Sequence, residues 1–69
     1  MIRVTSIKEN HITNTAFVSL FADTKSEVTS EAEILGLPEG ITIEQGSSVI
    51  TASGELAFMK SDGTWNWLA

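Results

Sequence analysis

The chain has 69 residues, no cysteine, a single histidine and a net charge of −5 from nine acids and four bases. Those numbers exclude disulfide stapling, thiolate chemistry, cysteine-ligated zinc and a histidine-rich metal cluster. They also leave a surface without the basic footprint that nucleic acid or an anionic membrane requires, so neither is an expected partner.

A chain this short forms one domain, 1–69, and buries only about 60% of its unfolded surface. With 42% hydrophobic residues it is too apolar for disorder. Oligomerisation or docking on a larger assembly is the stabilising device left to it. Serine and threonine, eight of each, interleave with apolar residues and favour strands over helices.

Ile2-Arg3-Val4-Thr5-Ser6-Ile7 alternates and reads as a strand, with Asn10 and His11 marking a turn. The run Thr15 to Ala22, TAFVSLFA, carries a helical stripe of Ala16, Phe17, Leu20 and Phe21, but its composition favours a buried strand. Asp23 to Glu27 reads as a polar loop. Ser30-Glu31-Ala32-Glu33 fits a capping box, so a short helical turn is expected near residues 31–35, stopped by Gly36 and Pro38. Pro38-Glu39-Gly40 then turns the chain, and Ile41-Thr42-Ile43 reads as a short strand closed by Gln45-Gly46.

The last third reads as a three-stranded meander: Ser48 to Ala52, Glu55 to Lys60, and Thr64 to Leu68, turned at Ser53-Gly54 and Asp62-Gly63. Two-residue turns would set Val49 opposite Phe58, Ile50 opposite Ala57, Phe58 opposite Trp67 and Lys60 opposite Trp65. One face then carries Val49, Phe58, Trp65 and Trp67. The other carries Ile50, Ala57, Met59 and Leu68. A three-residue Ser-Asp-Gly loop would change this register. Both faces are apolar, whereas a small antiparallel sheet normally keeps one face wet. One face is therefore expected to be core and the other to meet a partner, with Val49, Ile50, Phe58, Met59, Trp65, Trp67 and Leu68 as the anchors.

Few residues suggest chemistry. Trp65 and Trp67 could stack on sugar rings, yet large aromatics more often fill cores and interfaces. His11 sits in a turn, without a Gly-x-Ser-x-Gly elbow anywhere in the chain, and reads as a surface residue. Glu27, Glu31, Glu33, Glu39 and Glu44 lack calcium-loop spacing and read as a solvated acidic segment, with calcium between subunits as the remaining alternative. No catalytic residue, resident metal or cofactor is expected.

The ordered series Asp23-Thr24, Leu37-Pro38, Gly46-Ser47, Ser53-Gly54 and Gly63-Thr64-Trp65 spans roughly residues 16–68. It resembles small virion proteins of tailed bacteriophages, where turn motifs and short strands follow in that order. The resemblance implies a non-enzymatic piece of a phage particle: a capsid decoration or head-fibre protein, or alternatively a tail or head–tail component. It transfers no binding residue. It implies a homo-oligomer, with a trimer suggested by analogy, attached to a capsid or tail protein. It also implies synthesis in the host cytoplasm and residence in the virion, in keeping with a chain that shows no signal-peptide pattern.

The combined expectation is an all-β domain, a small antiparallel sheet or sandwich of about four to six short strands, assembling through apolar strand faces. A carbohydrate-binding module using Trp65 and Trp67 is the competing class, and a regulatory protein docking through its acidic segment is a third.

Overall fold

The computed structural model describes residues 1–29 and 32–68. It is all-β, as the sequence predicts. Among the described residues, seven strands form one mixed sheet: β1 (Ile2–Asn10), β2 (Thr15–Ala22), β3 (Ile34–Leu35), β4 (Thr42–Ile43), β5 (Ser48–Thr51), β6 (Leu56–Met59) and β7 (Trp65–Trp67). The spatial order is β3-β1-β2-β5-β6-β7, and β4 also pairs with β2. The β1–β2 hairpin and the β5–β6–β7 meander are antiparallel. The expectation of an antiparallel sheet needs one amendment, because β1–β3, β2–β4 and β2–β5 pair in parallel.

TAFVSLFA forms a strand over its whole length, and its period of two explains why. Ala16, Val18, Leu20 and Ala22 point inward and are buried, while Phe17 and Phe21 point outward. Small residues inside let the cover of the sheet approach closely. That cover comes from the segment between β2 and β5. Val28, Ala32, Ile34, Leu37, Ile41 and Ile43 pack from it onto a core of Ile2, Ala16, Val18, Leu20, Ala22, Val49 and Ala57. The Met1 ammonium fastens the start of the cover, lying 2.6 Å from Asp23 and 2.7 Å from Glu27.

β2 is the organising strand. Along one edge it meets β1; along the other it meets first β4 and then β5. Between those two partners the Val18 N–H would face no strand. The Ser47 hydroxyl fills the gap, accepting that N–H at 3.0 Å while itself fully buried. Gly46 precedes it with φ of +91°, and a Cβ there would lie 3.3 Å from the Phe17 ring. The Gly46-Ser47 pair is thus fixed by local packing and hydrogen bonding.

The helical turn expected at 31–35 is not found. Ser30 and Glu31 lie outside the described residues, and Ile34–Leu35 is β3, paired with Ile2 and Arg3. Burying Ile34 against the core outweighs a local capping signal. The 3₁₀ turn that does form covers Lys25–Glu27, inside the stretch read as a polar loop.

The meander has the strands the sequence predicts, but its register differs. Both connections are three-residue loops: Thr51 pairs with Glu55 around Ala52-Ser53-Gly54, and Lys60 pairs with Thr64 around Ser61-Asp62-Gly63. Each glycine sits at the third loop position with positive φ, +89° at Gly54 and +85° at Gly63. This is a type I turn followed by a left-handed residue, not the two-residue turn that Ser-Gly and Asp-Gly suggest. The Asp62 carboxylate secures its loop by accepting the Thr64 amide at 3.0 Å and the Thr64 hydroxyl at 2.6 Å.

Candidate functional site

A one-residue change of register moves side chains to the other face of a sheet. Val49 lies opposite Ala57, Ala57 opposite Trp67, and Met59 opposite Trp65. These five residues share the inward face. Ile50 lies opposite Leu56, and Phe58 opposite Asn66, on the outward face. The expected grouping is therefore corrected: Phe58 does not accompany the tryptophans, and Met59 and Ala57 do not accompany Ile50 and Leu68.

The inward face is core. Val49 and Met59 are buried, and Trp65 and Trp67 are half-buried against the central cluster. The Lys25 ammonium stands 4.9 Å from the centre of the Trp67 ring, a cation–π arrangement that occupies one side of the indole.

The outward face is open. Its side chains fall into three rows across the sheet, read from the strand registers. The first row runs Leu35, Arg3, Phe21, Ile50, Leu56, and then Leu68, whose amide bonds to Leu56. The second runs Ser6, Ser19, Ser48, Phe58 and Asn66. The third is anchored by Lys8 opposite Phe17, and extending the registers brings in Gly46 and Lys60. None of the outward aromatic and aliphatic residues packs on the core. Phe17 is 48% exposed, Ile50 47%, Phe58 38% and Leu68 58%. Phe21 is covered in part by the Arg3 guanidinium, 4.9 Å from its ring centre.

Of the seven anchors predicted from sequence, Ile50, Phe58 and Leu68 come together on this open face, and Val49, Met59, Trp65 and Trp67 come together in the core. Sequence reasoning missed Phe17, Phe21, Leu56 and Arg3. The alternation in TAFVSLFA divides its residues into two sets, yet hydrophobicity alone favours the larger phenylalanines as the inner one. Only the non-local β2–β5 pairing sets Phe21 beside Ile50.

Two depressions flank the sheet. One, of about 500 Å³, is formed by residues 33–41 and Met1 beside β3. The other, of about 820 Å³, lies under the β1–β2 turn, among Lys8, Glu9, Asn10, His11, Ile12, Phe17 and Glu44. His11 is exposed at that turn. Among the described residues, no group of three or more histidine or acidic side chains is placed to hold a metal ion. Among the described residues, no helix is long and apolar enough to cross a membrane.

The fold and surface define a small all-β domain with one packed and one open sheet face. No protein-family model, curated protein or solved structure matches the chain.

Proposed function

We propose that this chain is a non-enzymatic structural protein of a bacteriophage particle, of the capsid decoration or head-fibre kind, and that it assembles through its outward sheet face. The observation that carries the reading is the apolar row Phe21–Ile50–Leu56–Leu68, half-buried at Phe21 and Leu56 and exposed at Ile50 and Leu68, with exposed Phe17 and Phe58 beside it. Contiguous exposed apolar surface of this kind marks interaction sites. A chain this short also lacks the burial that larger domains use for stability. At about 25 cal/mol per Å², covering a few hundred Å² of this face supplies several kcal/mol.

The phage assignment rests on the ordered turn motifs from Asp23-Thr24 to Gly63-Thr64-Trp65. It is tested by quantitative mass spectrometry of density-purified particles from cells carrying the native genome. A fixed copy number per particle is expected, and absence from the particles contradicts it. The carbohydrate reading finds less support, since both tryptophans face the core and Lys25 occupies one face of Trp67.

A further inference from the structure

We propose that the outward face receives the β3 edge of a second copy, so that subunits join head to tail instead of face to face. The inference rests on the assembly reading above and adds the geometry of the contact.

The argument begins with the placement of charge. Three of the four lysine and arginine side chains, Arg3, Lys8 and Lys60, belong to the outward rows. The outward positions of β1, β2, β5, β6 and β7 carry no acid. Acids do border the face. Asp23 lies near Arg3, but the Met1 ammonium holds its carboxylate. Asp62 lies near Lys60 at the border of the face and stays charged while accepting from Thr64, so it offsets part of the Lys60 charge. Glu44 lines the same depression as Lys8 and Phe17. Among the described residues, the ion pairs found involve the Met1 ammonium and not these three cations.

Pairing two such faces sets like charges together. In the third row, Lys8 and Lys60 flank Phe17 and Gly46. A twofold axis along the strands between β2 and β5 brings Lys8 of one copy to Lys60 of the other. An axis across the strands brings Lys8 to Arg3 instead. Like-charge juxtaposition at an interface opposes association.

The β3 edge has the complementary character. Glu33 and Glu39, both exposed, border the apolar depression formed with Leu35, Leu37, Pro38 and Ile41. Leu35 is 61% exposed there. Apolar surface with acids at its margin thus meets apolar surface with cations at its margin. The two surfaces adjoin at Leu35 and otherwise lie on different parts of one molecule, so the contact is heterologous and closes into a ring or continues as a fibre.

The test uses two variants of exposed residues, each checked for native circular dichroism: Ile50→Glu, which blocks the face, and Glu33→Lys/Glu39→Lys, which blocks the edge. The wild type is expected to have a mass above the monomer, each variant alone to be monomeric, and an equimolar mixture to form 1:1 dimers. If the edge variant still self-associates like the wild type, head-to-tail joining is overturned while assembly through the face stands. If folded variants stay monomeric when mixed, head-to-tail joining is likewise overturned. A wild type that is monomeric at every concentration overturns both.

Discussion

Met59 stands directly opposite Trp65, and this pairing places both tryptophans on the buried side of the sheet. It exists because the last turn holds three residues, with Gly63 in the left-handed position. Deleting Thr64 keeps the Ser61-Asp62-Gly63 loop but sets Trp65 opposite Lys60 and Trp67 opposite Phe58, shifting β7 by one position. Trp65 and Trp67 would then turn outward and expose indole surface now packed on the core. The expected result is a red-shifted tryptophan emission and a large loss of urea resistance. Unchanged emission would show that the loop does not set the register.

Ser47 closes the break between β4 and β5 along β2. In Ser47→Ala, the buried Val18 N–H loses its acceptor. A buried unsatisfied donor costs about 1–3 kcal/mol. In a marginal domain that is a large share of total stability. Urea unfolding should show a lower midpoint with an unchanged slope, and an unchanged midpoint would mean the N–H finds another partner.

Gly46 and Gly63 separate two reasons for needing glycine. Both have positive φ, but a Cβ at Gly63 meets nothing within 4 Å, while one at Gly46 meets the Phe17 ring. Gly63→Ala should therefore lose only the backbone preference, about 1–2 kcal/mol. Gly46→Ala should lose that and displace Phe17 as well. Equal losses in thermal or urea unfolding would contradict the packing at Gly46.

Much of this fold is legible in the sequence. The strands at 2–7, 15–22 and in the meander follow from alternation and from the turn residues between them. What is not legible comes from choices that local pattern leaves balanced. Ser-Asp-Gly accommodates a two-residue or a three-residue turn, and that choice decides which face Phe58 shares. TAFVSLFA offers two apolar sets, and the covering segment selects the smaller one for the core. Ile34–Leu35 becomes a strand only because Ile2 and Arg3, far away in sequence, present a free edge. The candidate face inherits all three ambiguities, and so only Ile50, Phe58 and Leu68 of its members were identifiable beforehand.

The Asp62 carboxyl is held below its ordinary value of 3.8, chiefly by the Thr64 hydroxyl and then by the Thr64 amide. A lowered folded-state value means its contribution to stability is complete above about pH 4 and is lost as pH falls through the folded value. Unfolding midpoints measured between roughly pH 2 and 6 should therefore drop toward acid. Asp62→Asn should flatten part of that drop, and an identical slope in the variant would show that the turn does not contribute to it.

The central claim is that the outward face is built for association and not for folding. Its most direct test is the solution mass of the wild type and of Ile50→Glu over a wide concentration range, by analytical ultracentrifugation. Ile50 is 47% exposed and lies outside the core, so the substitution should leave the folded subunit intact. The account predicts a wild type heavier than one chain and an Ile50→Glu variant that is folded and monomeric. A wild type that remains a folded monomer at every concentration would contradict it.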